Sequence, residues 1–178
     1  MIREEILGMT NYTDQMNSVF KDWKQLLGDP NLVNLPFKIE TDESGKIIMS
    51  PVSKRHTFLQ YLIAKTIEQH LTGGYALQEA AVQTSRGVRV TDVAWVTKEH
   101  FDAEPEELFT VAPEICIEVW SPSNTGEEFV TKRSLYFASS ALEVWICTQA
   151  GQMRFYAATQ ELERSQLAPD FPAQISSN

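Results

Sequence analysis

Apolar residues recur at helical spacing near the start of the chain and then switch to alternation. Met16, Val19, Phe20, Trp23 and Leu27 form a stripe that predicts a packing helix over 13–27. Thr13 is its N-cap, Asp14 suits the positive end of the dipole, and Gly28-Asp29-Pro30 stops it. Two short strands, 37–40 and 46–49, flank Asp42-Glu43-Ser44-Gly45 as a hairpin, and Ser50-Pro51 breaks the second. A second helix is expected over 56–71, apolar at Phe58, Leu59, Leu62, Ile63 and Ile67 and ended by Gly73-Gly74.

Strand-like patterns follow over 75–84 and 88–96, joined by Ser85-Arg86-Gly87. The stretch 98–109 is polar and reads as a solvated excursion rather than a metal cluster. In the run Ile115-Cys116-Ile117-Glu118-Val119-Trp120, both faces are apolar apart from Glu118, which predicts a central strand covered on both sides. A helix then opens with a capping box, Thr125 and Glu128, and carries Phe129, Val130, Tyr136 and Phe137 on its apolar face. Strands 143–148 and 153–157 form a last hairpin, and 165–175 reads as an extended packed tail. The order predicts an α/β or α+β domain built on one mixed sheet with helices on its faces.

Composition changes this picture little. A chain of 178 residues with 43% hydrophobic content suits a single domain with a sizeable core, divided as an N-terminal helix (1–30), a core (31–160) and a C-terminal tail (161–178). No apolar run is long enough to span a membrane, and the first residues lack the order of a signal peptide, so no membrane partner and a cytoplasmic location are expected. Cys116 and Cys147 have no CxxC neighbour and read as buried reduced thiols, which argues against zinc. The net charge of −9 speaks against a nucleic-acid coat, though a local basic patch could still serve a nuclease.

Candidate chemistry lies with acids in apolar strands. A lone buried carboxylate is costly unless something pairs with it. Glu118 is one such acid. Asp92 is another, sharing a strand face with Val90, Ala94 and Val96. Lys132 has two readings: an i,i+4 surface pair with Glu128, or a cation serving the strand acids. Arg133 sits near the middle of the apolar side, either snorkelling or meeting a buried acid. His56, at a helix start, either donates a structural hydrogen bond or lines the site. Two hard oxygen ligands with waters describe a Mg²⁺ (or Mn²⁺) site, and a lysine nearby can orient or help deprotonate an attacking water. That is the chemistry of phosphodiester hydrolysis.

Several segments resemble the Uma-type restriction endonuclease family of the restriction-endonuclease-like PD-(D/E)XK superfamily. They are Lys46-Ile47-Ile48-Met49-Ser50-Pro51 with Arg55-His56, Thr91-Asp92-Val93-Ala94-Trp95-Val96, and Pro113 to Val119 with Ser121-Pro122-Ser123. Lys132, Arg133, Leu135 and Tyr136, then Glu143-Val144-Trp145, and the tail from Ser165 to Pro172 complete the likeness. The resemblance implies a restriction-endonuclease-like three-layer domain: a central mixed β-sheet flanked by helices, plus the N-terminal helix and hairpin. It implies Asp92 and Glu118 as metal ligands and Glu79 as an auxiliary one, for which an edge-facing glutamate is the alternative. The superfamily lysine two residues after the glutamate is replaced here by Trp120, and Lys132 stands where the family carries it instead. Thr91 stands where the family usually has proline. The activity implied is a Mg²⁺-dependent endodeoxyribonuclease acting on DNA, for which a homodimer would suit cutting both strands. Two competing readings are a non-catalytic binding or assembly module that kept the fold, and a metal-dependent phosphoesterase acting on RNA or nucleotides.

Overall fold

The computed structural model describes residues 22–32, 35–120 and 125–176. Thr13, Asp14, Met16, Val19 and Phe20 of the expected first helix, and the Ser121-Pro122-Ser123 turn, lie outside them. Residues 22–27 are helical, and Trp23 packs with Val88, Val90 and Leu108.

Asp42 makes the hairpin of β1 (Phe37–Thr41) and β2 (Ile47–Pro51). Its Oδ1 accepts from the Ser44 and Lys46 amides and the Ser44 hydroxyl, while Gly45 adopts φ +79. β2 extends through Ser50 and Pro51, expected as a break. The hairpin is a separate two-stranded sheet, and proline is tolerated on such an edge.

α1 (Lys54–His70) begins two residues before the predicted start because Ser53 caps it, accepting from the His56 amide. β3 (Gly74–Thr84) and β4 (Gly87–Thr97) form a long antiparallel pair. The polar stretch after β4 is not wholly irregular: Thr97 caps a short helix, α2 (Lys98–Ala103). β5 (Ile115–Val119), α3 (Gly126–Ala138) and β6 (Glu143–Cys147) make a parallel β-α-β unit, followed by antiparallel β7 (Met153–Ala157) and β8 (Gln160–Leu162). β8 was not anticipated. The six-stranded sheet runs β3-β4-β5-β6-β7-β8, mixed through its one parallel pair.

Alternation along β4, β5 and β6 divides the core. On one face Val93, Trp95, Ile115, Ile117, Val119 and Trp145 meet Leu59, Ile63 and Ile67 of α1. Each of these three fully buried aliphatics contributes on the order of 1.5–3 kcal/mol. On the other face Ala94, Val96, Cys116 and Val144 meet Tyr136 of α3. Phe58 and Val130, assigned to buried faces from spacing, are exposed. Cys116 and Cys147 are free thiols on opposite faces. The tail packs Ala168, Phe171 and Ile175 onto the α1 face and is held by Glu143, whose Oε1 accepts from the Gln166 and Leu167 amides.

A candidate active site at a fork between strands

β4 changes partners at Thr91 and Asp92. Downstream, Val93 to Trp95 pair with β5. Upstream, the free amides of Val88 and Val90 are taken by side chains of β1: Thr41 Oγ1 at 2.9 Å and Glu40 Oε1 at 2.9 Å. Two side chains fill the fork. Thr91 Oγ1 accepts from the Ile117 amide at 3.0 Å and lies 2.9 Å from the Ile117 carbonyl, which it can donate to. Asp92 Oδ2 accepts from the Val119 amide at 2.7 Å. Buried backbone groups must find partners, and here polar side chains replace the interrupted ladder. Thr91 thus supplies side-chain hydrogen bonds that a residue without a hydroxyl could not make here.

Asp92 is 1% exposed and Glu118 is 4% exposed, so both need partners. Asp92 Oδ1 receives Lys38 Nζ at 2.5 Å, His56 Nε2 at 3.1 Å and Gln60 Nε2 at 3.3 Å. The 3.1 Å approach requires His56 to carry its proton on Nε2. Glu118 Oε2 faces Lys132 Nζ at 3.1 Å and Lys38 Nζ at 3.7 Å, and its Oε1 accepts from the Tyr136 hydroxyl at 2.6 Å. Lys132 also meets Glu40 Oε1 at 3.0 Å. The surface pair between Lys132 and Glu128 does not form: Glu128 turns back to close the capping box with Thr125, and Lys132 is buried. Trp120 stacks on Phe129, its ring centroid 4.6 Å away, leaving Lys132 to meet Glu118.

The charges set one another's proton affinities. Burial works against ionised Asp92, but the Lys38 ammonium and His56 hold its carboxyl well below the usual range. Burial pushes Glu118 upward and prevails over Lys132 and Lys38. It opposes both ammoniums too, yet the surrounding carboxylates, Glu118 foremost, keep Lys38 and Lys132 above the ordinary lysine value. Glu40 is held low against burial, chiefly by Lys132.

Glu79 stands across from Asp92 in the β3–β4 register, between the pairs Gln78–Val93 and Ala80–Thr91. It adopts φ +54, a left-handed conformation that costs a non-glycine residue on the order of 1–3 kcal/mol. Although the residue is exposed, burial of its carboxyl end raises its pKa, and that end accepts a hydrogen bond from Gln60. Ligand atoms of His56, Glu79 and Asp92 lie within 4.8 Å of one another. Two carboxylate oxygens and an imidazole nitrogen are donors a divalent cation accepts. Arg133 takes no part in this arrangement: its guanidinium lies over the Tyr156 ring at 4.3 Å.

Lys38, Glu40, His56, Asp92, Glu118 and Lys132 line a cleft of about 270 Å³. Lys38, Glu40, Gln60 and Tyr136 were not singled out from sequence as site residues. The signals were there in spacing: Lys38 and Glu40 share a strand face, while His56 with Gln60 and Lys132 with Tyr136 are i,i+4 pairs on their helices.

The same architecture occurs in a solved structure described as "a putative nuclease belonging to DUF820" from Anabaena variabilis ATCC 29413. The TM-score is 0.64 with 17% identity, covering 77% of this chain and 87% of that one, which establishes a shared fold. The sequence also matches the Uma2 family, described as "Putative restriction endonuclease", over residues 27–176, and the chain belongs to that family. No curated protein matches it. No helix among the described residues is long and apolar enough to cross a membrane.

Proposed function

We propose that the protein is a Mg²⁺- or Mn²⁺-dependent endonuclease that hydrolyses phosphodiester bonds in DNA. One observation carries the reading: the Asp92 and Glu118 carboxylates converge on a single ammonium at the strand fork, with Lys132 on the same Glu118 oxygen. Asp92, with Glu79 and His56 beside it, and Glu118, which shares Lys38 with Asp92, are the groups that would hold the cation. When bound, the metal supplies charge neutralisation at the phosphate and acidifies a nearby water. Lys132, held by Glu118 and Glu40, presents a fixed positive charge to the anionic substrate and can orient the attacking water. Tyr136 fixes the Glu118 rotamer from behind.

Purified protein with Mg²⁺ or Mn²⁺ should nick supercoiled plasmid, and Glu118→Ala should not. Equal cutting by the two proteins sinks the assignment. A second reading, a binding or assembly module without catalysis, is favoured by the two lysines that already neutralise the acids and by the net charge of −9. Calorimetry separates the two, because that module gives no heat with Mg²⁺ or Mn²⁺. Activity on RNA or nucleotides but not plasmid would instead mark a phosphoesterase of that class.

A further inference from the structure

We propose that Lys38 is a built-in stand-in for the divalent cation, displaced from the carboxylates into the cleft when metal binds. The inference rests on the metal-dependent reading above and concerns a residue to which that reading gives no part in metal binding or hydrolysis. Lys38 Nζ lies 2.5 Å from Asp92 Oδ1 and 3.7 Å from Glu118 Oε2, the two acids a metal would need. Its side chain is only 7% exposed, although it belongs to an edge hairpin where a lysine ordinarily points to water.

The hairpin is built so that this side chain can leave while the backbone stays. β1 is fixed to β4 by Thr41 Oγ1 on the Val88 amide, Glu40 Oε1 on the Val90 amide, and the Arg89 guanidinium on the Thr41 carbonyl. None of these contacts involves Lys38. The lysine stem is flexible, and Met49, Ser50 and Pro51 of β2 leave a cleft beside it. A cation on Asp92 Oδ1 removes the electrostatic reason for the ammonium to remain, because two positive charges would compete for one oxygen. The displaced ammonium then faces the cleft that Lys132 also lines, where an anionic substrate would lie.

Two measurements on the full chain test this. Calorimetric titration with Mn²⁺ should show Lys38→Met binding about tenfold or more tightly than wild type, since a charge-assisted contact no longer has to be broken. Lys38→Gln, which keeps a donor for Asp92 Oδ1 without the charge, should tighten in the same direction and serves if the methionine variant does not fold. Acetylation of wild-type lysines, read by mass spectrometry, should find Lys38 protected without metal and reactive at saturating Mn²⁺. Exposed Lys54 and Lys65 should be unchanged. If wild type binds Mn²⁺ while both variants bind equally or more weakly, or if Lys38 stays protected at saturation, the stand-in is wrong and the metal site survives. If neither wild type nor either variant binds Mn²⁺, both the stand-in and the metal-dependent reading fail.

Discussion

Asp92→Asn changes one atom's identity and almost no volume, yet it strikes the most heavily bonded acid in the fork. Three donors converge on Oδ1 and a backbone amide on Oδ2. With the amide oxygen kept toward Lys38, the new NH₂ faces the Val119 amide, donor against donor. With the group flipped, it faces an ammonium and an imidazole. Either way a buried ion pair is broken from one side, which costs about 3–5 kcal/mol. For a chain of this size that is a fall in Tm of about 6–20 °C. Thermal and urea unfolding followed by circular dichroism would read it, with Asp102→Asn, on an exposed helix position, as a control expected to stay within about 0.5 kcal/mol. Replacing both partners, Lys38→Met with Asp92→Asn, should recover part of the loss, because no charge is then left facing a neutral group. The sign with pH is also fixed. A depressed carboxyl contributes fully above its ordinary pKa of about 3.9 and loses that contribution as pH falls toward its folded value, so the gap between wild type and variant should narrow on acidification below about pH 4. A loss under about 1 kcal/mol at neutral pH would mean that Asp92 is solvated and the ion cluster is not formed.

Tyr136→Phe removes the donor to Glu118 Oε1 and should cost about 1.5–3 kcal/mol in urea unfolding; an unchanged midpoint would mean that the hydroxyl is not bonded there. Glu143→Ala should leave the cleft intact but release the tail, seen as faster amide exchange at Gln166 and Leu167. The Cys147 thiol is pushed by burial up to about 12, so it should react slowly with thiol reagents near neutral pH in the folded chain and quickly after denaturation.

The elements were legible wherever one residue's neighbours in sequence are also its neighbours in space. The alternation Ile115 to Val119 specified a doubly covered strand, and Thr125 with Glu128 specified a helix start. Asp92 and Glu118 stood out because each is an acid among apolar strand residues. What sequence did not bring out was the counter-charge to Asp92. Lys38 comes from a hairpin 54 residues before Asp92, and on an edge strand its pattern is that of any solvated lysine. Tyr136 was hidden differently: a tyrosine at helical spacing reads as core, and it is core, with only its hydroxyl turned to Glu118. The i,i+4 offset from Lys132 to Tyr136 places both over one carboxylate, whereas the same offset from Glu128 to Lys132 suggested a surface pair that the capping box prevents. For Arg133 the sequence left snorkelling and a buried acid both open, and the contact it makes is with an aromatic face, that of Tyr156.

Under the proposed function, the fork between β4 and β5 is a metal-dependent hydrolytic site. Its most direct test is plasmid nicking in Mn²⁺, with and without chelator, by wild type and by Glu118→Gln, assayed well below the variant's melting temperature because the substitution also leaves Lys132 facing a neutral group. Wild type should nick the plasmid, chelator should abolish the nicking, and the variant should give none. Metal-independent nicking, or equal rates from the two proteins, would contradict it.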